Sequence, residues 1–251
     1  MRLDRYLSNM GLGTRKEIAE AIRSGRVSVD GKLVLQKDAE VREGTSSVEM
    51  DGRTVAYKPH VYIMLNKPEG YISSTEDGSG PVVTELLTPE LARYVPAPAG
   101  RLDKDAVGLL LLTSDGEFIH RVITPKKHVP KVYYVRLKKA VTPEDEAAFK
   151  AGIVLKDGTA LLPANLTRTT DPSTGAPAAF VTVYEGKFHQ VKRMFLSRDN
   201  EVRFLKRVAI GALKLDRALA PGEYKELSRE EAEKVFEKGD GNGAETGEEN
   251  E

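Results

Sequence analysis

Apolar positions recur along this chain with two different periods, and the change of period divides it. In residues 2–9, Leu3, Tyr6 and Leu7 fall at i, i+3 and i+4, which predicts an amphipathic helix ended by Gly11 and Gly13. Thr14, followed three residues later by Glu17, is a capping box. It predicts a second helix that turns Ile18, Ala19 and Ile22 inward and stops at Gly25. Residues 26–34 then alternate about Asp30-Gly31, the pattern of a β-hairpin. Pro59, in Lys58-Pro59-His60, breaks the periodicity and marks a linker.

Beyond the linker the pattern is that of buried and half-buried strands. Residues 61–66 are a continuous apolar run that ends at Lys67-Pro68, a strand-end position suited to a cation that contacts phosphate. Residues 81–87 predict a short helix. The segment 100–116 is the most informative: a polar loop carrying Asp103 and Asp105 runs into four consecutive leucines and stops at the turn pair Asp115-Gly116. Read from its neighbours alone, Asp103 is either a turn-capping residue or a carboxylate held at the edge of a rigid strand, as catalysis requires. Residues 131–137 alternate, so Tyr133 and Tyr134 face opposite sides, one free to join the core and the other to offer a ring to a base. A helix over 143–151 ends at Gly152, and residues 180–184 form a further strand. A glycine turn then opens a basic helix in which Lys192 and Arg193 are adjacent, one able to enter a cleft and the other to reach phosphate. Strands over 209–215 and 223–227 and a helix from 229 to about 237 complete the domain.

Composition narrows the chemistry. The 251 residues contain no cysteine, which removes disulfides and thiolate metal sites. The four histidines show no ligand spacing, and no glycine-rich phosphate loop is present, so neither metal nor nucleotide cofactor is expected. The net charge of zero conceals an asymmetry. Residues 239–251 hold five acidic side chains and no basic one, leaving a body of +5. That acidic tail has the composition of a segment without a packed core. No signal peptide or membrane-length apolar run is visible, which points to the cytoplasm and away from membranes.

The N-terminal pattern (helix, capped helix, Gly25-Arg26-Val27-Ser28-Val29, then Asp30-Gly31) resembles the S4 RNA-binding domain. That resemblance covers roughly residues 1–58 and implies RNA contacts from Arg2, Arg5, Arg15, Lys16, Arg23 and Arg26. Residues 61–237 resemble the RsuA-type branch of the pseudouridine synthases. The matching stretches are 64–71, Gly100-Arg101-Leu102-Asp103 with residues 108–111, Lys131-x-Tyr133, Gly186-Lys187-Phe188-His189-Gln190-Val191-Lys192-Arg193-Met194, and Arg207-x-x-Ile210-Gly211. The resemblance implies an α+β protein: a small S4 αβ domain followed by a mixed, mostly antiparallel sheet with a central cleft. It further implies catalysis by Asp103, Tyr133 and Lys192, with Arg101, Lys67, Lys131 and Arg193 on the RNA and no cofactor or metal. The closest likeness within the branch is to the enzymes of 16S rRNA. The expected partner is therefore ribosomal RNA, met by a monomer in a small-subunit assembly intermediate. A 23S rRNA enzyme of the same branch and a non-catalytic S4-containing assembly protein are the competing expectations.

Overall fold

The computed structural model describes residues 1–76 and 78–239 and divides into two compact units, Met1–His60 and a second beginning at Val61. The acidic tail beyond Gly239 lies outside the described residues.

In the first unit, α1 (Leu3–Asn9) buries Leu3, Tyr6 and Leu7, and α2 (Arg15–Arg23) starts from the Thr14–Glu17 capping box. The buried stripe of α2 is Ile18, Ala21 and Ile22; Ala19, one position off that stripe, is only half-buried. β1 (Val27–Val29) turns at Asp30-Gly31 into β2 (Lys32–Leu33) and also pairs with β3 (Val48–Met50), which pairs with β4 (Arg53–Thr54). The result is a four-stranded antiparallel sheet, in the order β2-β1-β3-β4, beside a pair of contacting helices.

The second unit runs β5 (Tyr62–Lys67), α3 (Pro89–Ala92), β6 (Ala97–Pro98), β7 (Val107–Thr113), α4 (Gly116–Ile123), β8 (Lys131–Leu137), α5 (Pro143–Ala151), β9 (Asn165–Thr170), β10 (Pro177–Val183), α6 (Gln190–Leu196), β11 (Val202–Ile210), β12 (Leu213–Lys214), β13 (Tyr224–Leu227) and α7 (Arg229–Glu233). Its sheet has the order β13-β5-β7-β11-β8-β10-β9, with β6 beside β7 and β12 beside β11. Pairing is antiparallel except where β11 lies parallel to β7. The α+β class expected from the sequence is thus observed.

The four leucines explain the placement of β7. Leu110 and Leu112 enter one core with Val135, Phe149 and Phe195, while Leu109 and Leu111 enter another with Met64, Phe118 and Val235. A strand covered on both faces reads as an unbroken apolar run. Four fully buried leucines contribute roughly 6–12 kcal/mol of transfer free energy. The Asp115-Gly116 pair is not a hairpin turn: the Asp115 carboxylate accepts from Phe118 N–H and caps α4, which then buries Phe118 and Val122. Among the described residues, no helix is long and apolar enough to cross a membrane.

Candidate active site

Asp103 sits in the loop that leads into β7, and that loop is held by its backbone. Ser73 Oγ donates to the Leu102 carbonyl at 2.9 Å and accepts from Leu102 N–H at 3.1 Å. The Asp103 carbonyl accepts from Ala106 N–H at 3.1 Å. Lys67 Nζ donates to the carbonyls of Ala106, Pro68 and Lys104 at 2.8, 3.0 and 3.3 Å. From the other side, Arg207 Nε donates to Leu109 O at 2.7 Å and Nη1 to Arg101 O at 3.3 Å. With its carbonyls committed inward and Leu102 buried in the core, the loop turns the side chains of Asp103 and Asp105 outward.

The two carboxylates share one cation. Lys192 Nζ, on α6, lies 3.2 Å from Asp103 Oδ2 and 2.5 Å from Asp105 Oδ1. Burial pushes the Lys192 ammonium down, but the Asp105 hydrogen bond and the Asp103 charge outweigh it, and the net shift is upward. Burial likewise pushes the Asp105 carboxyl up, and the bond to Lys192 overrides it to hold it below the usual carboxylate range. Exposure separates the pair: the Asp103 side chain is 26% exposed and that of Asp105 is 63%. His189 Nε2 is a third neighbour, 3.6 Å from Asp103 Oδ1.

Tyr133 lies on β8 directly opposite Arg207 of β11, on the strand face it shares with Lys131 and Val135. It is buried and packs in the core beneath the loop, while Tyr134 faces the other way and donates to Asp171 at 2.6 Å.

Three sequence expectations change here. Lys67 is fully buried; its ammonium braces the loop and does not reach a surface where phosphate could meet it. Burial lowers its pKa to about 8, an effect that the charges of Asp105 and Asp103 only partly offset. Lys131 is also buried, donating to Val129 O at 2.9 Å, and is lowered to about 8 by burial and by the Arg207 charge. Arg193 is tied to the Asp157 carboxylate. By contrast Arg101 is exposed two residues before Asp103.

In the first unit, Arg2 pairs with Asp4 and Arg26 with Asp51, at 2.7 and 2.5 Å. Arg5, Arg15, Lys16 and Arg23 are exposed. The sequence reading assigned no role to Arg207 or His189, although both lie inside its matched motifs. What it lacked was the register that sets Arg207 across from Tyr133 and the turn that brings His189 to Asp103. A separate cavity of about 670 Å³, lined by Val129, Val132, Val208 and Phe236 among others, includes none of Asp103, Tyr133 and Lys192.

A half-buried carboxylate on a braced loop, sharing a lysine with a second carboxylate, is an arrangement suited to reaction at an electrophilic carbon or ring. Comparison with known proteins gives this chemistry a family. Residues 61–197 match the family described as RNA pseudouridylate synthase, and residues 1–46 match the S4 domain. The chain is 46% identical to a Bacillus subtilis protein named uncharacterized RNA pseudouridine synthase YtzG, over 92% of this chain and 96% of the relative. It is 38% identical to the Escherichia coli ribosomal small subunit pseudouridine synthase A, over 94% of this chain and all of the relative. A crystal structure of a pseudouridylate synthase superposes with a TM-score of 0.65 at 34% identity, covering 94% of this chain and 99% of that one. The chain therefore belongs to the RNA pseudouridylate synthase family and carries an S4 domain at its N-terminus.

Proposed function

We propose that this enzyme isomerises one uridine of small-subunit (16S) ribosomal RNA to pseudouridine, with Asp103 as the reacting carboxylate. The observation that carries the assignment to Asp103 is the braced loop: it holds Asp103, the less exposed of the two carboxylates, against Lys192.

The reaction breaks the bond from C1′ to N1, forms one from C1′ to C5, and exchanges a proton lost at C5 for one gained at N1. It needs no net oxidant and no second substrate. Asp103 supplies the negative charge that acts at the ribose or the ring. Lys192 keeps that charge supported in a partly desolvated cleft, where an unpaired carboxylate would be costly. Tyr133 is buried with its ring in the core, and its phenol is assigned the proton step at C5 once the base has entered. Arg101, exposed beside the loop, holds the backbone of the extruded nucleotide.

The names of the relatives support the small-subunit target, since the Escherichia coli protein is a ribosomal small subunit enzyme. The S4 domain supports docking to structured RNA by shape and backbone. We place the enzyme in the cytoplasm, acting as a monomer on an assembly intermediate. The test is incubation with unmodified 16S and 23S transcripts and with partially assembled small-subunit particles, followed by pseudouridine mapping with carbodiimide and primer extension. One new stop in 16S rRNA, absent with Asp103→Asn, is expected. A stop in 23S rRNA would overturn the target, and an unchanged stop with Asp103→Asn would overturn the role of the carboxylate.

A further inference from the structure

The mouth of the site carries an exposed aromatic ring that the reaction at Asp103 does not use. Phe188 is 76% exposed, and among the described residues it is the one phenylalanine or tyrosine on the exposed surface. Scattered exposed aliphatic side chains are ordinary, and this protein has several. An aromatic ring with so much apolar face in water, at the rim of a nucleic-acid site, is a different matter.

The ring is presented rather than loose. Its centroid lies 3.8 Å from that of His189, with the planes 16° apart. His189 in turn places Nε2 3.6 Å from Asp103 Oδ1, so a two-ring stack leads from solvent to the reacting carboxylate. The turn beneath it is fixed. Gln190 is buried; its side-chain Oε1 accepts from Lys187 N–H at 3.0 Å, and its N–H donates to Lys187 O at 3.1 Å. Arg193 Nη1 donates to Phe188 O at 3.5 Å. His189 adopts the left-handed conformation, φ +49°, which lets the chain enter α6 directly and sets the two rings face to face. Such a conformation in a non-glycine residue is uncommon and persists where surrounding contacts impose it.

We propose that Phe188, backed by His189, is a stacking subsite for the RNA nucleobase that neighbours the target uridine. Extrusion of the uridine leaves its neighbour without a stacking partner on one side, and the exposed face of Phe188 replaces it. Phe188 is thus a positioning residue: it holds the opened strand while Asp103 reacts, and it favours sequences whose neighbouring base stacks well. The inference rests on the pseudouridine synthase reading of the site.

The experiment uses the full-length enzyme and an RNA fragment spanning the modified uridine, with 2-aminopurine at the adjoining position. Tritium release from [5-³H]uridine in the same fragment reports turnover. Wild-type turnover comes first, because its absence would contradict the function and not the subsite. With turnover established, Phe188→Ala is expected to raise KM about ten- to a hundredfold, the loss of one base–aromatic stack, and to change the 2-aminopurine fluorescence on binding. Phe188→Tyr should preserve both readouts, and Phe188→Leu, apolar but without a π-face, should not. Exposure of the side chain means that none of these changes removes core packing. Unchanged KM and fluorescence in Phe188→Ala, or full function in Phe188→Leu, would overturn the subsite.

Discussion

Lys67 shows how much of the candidate site is built from residues buried beneath it. Its buried ammonium spans three carbonyls around the loop that carries Asp103, and burial lowers it to about 8. The folded value lies below the unfolded one of 10.5, so between the two the unfolded chain binds more protons and stability rises with pH. Below about 8 the cost of the buried charge is present in full. The wild type should therefore gain about 3 kcal/mol over Lys67→Met between pH 8 and pH 10.5, measured by urea unfolding. Lys131 is lowered in the same direction but is common to both proteins and cancels. At the residue scale the sequence singled out Asp103 and Lys192 through the motifs they sit in, and the two side chains do meet, at 3.2 Å. It could not show which way Lys67 points. A lysine at the end of an apolar strand has the same letters whether its ammonium turns out to solvent or back under the loop.

At the scale of elements, the position of Asp103 depends on the parallel contact between β7 and β11. Gly108 lies there with φ +98°, opposite Arg207 in register, and a Cβ on it would stand 2.4 Å from the Arg207 carbonyl oxygen. Gly108→Ala should destabilise the protein by about 3 kcal/mol or more and lower activity in parallel, read by thermal unfolding and turnover of the same preparation. A variant of wild-type stability and activity would show that the close approach is not needed. The strands on either side were legible in part. β8 was found from its strict alternation and β7 from its leucines. β11 begins at Val202, well before the predicted strand, because Arg203, Lys206 and Arg207 interrupt its alternation and Arg207 is a buried cation. Helix α4 was missed because Asp-Gly signals a turn as readily as a helix start, though Phe118 and Val122 at i and i+4 carried the helical period.

At the scale of the whole molecule, the proposed function assigns RNA binding to the first unit and reaction to the second. Arg5, Arg15, Lys16 and Arg23 are exposed on the helices of the S4 unit and form no ion pair among the described residues, whereas Arg2 and Arg26 are engaged by Asp4 and Asp51. Replacing Arg15, Lys16 and Arg23 together by alanine should weaken RNA binding and reduce the slope of log K against log salt by about 2, with kcat unchanged. A fall in kcat at saturating RNA would instead tie those side chains to the reaction. Neutral overall charge hid this basic surface, and the acidic tail responsible for the neutrality lies outside the described residues. The central claim is that Asp103, and not its neighbour Asp105 on the same lysine, is the reacting carboxylate. It is tested most directly by tritium release from [5-³H]uridine-labelled ribosomal RNA with wild type, Asp103→Asn and Asp105→Asn side by side. Release lost only in Asp103→Asn, with RNA binding intact in all three, is the predicted result. Release retained in Asp103→Asn and lost in Asp105→Asn would contradict it.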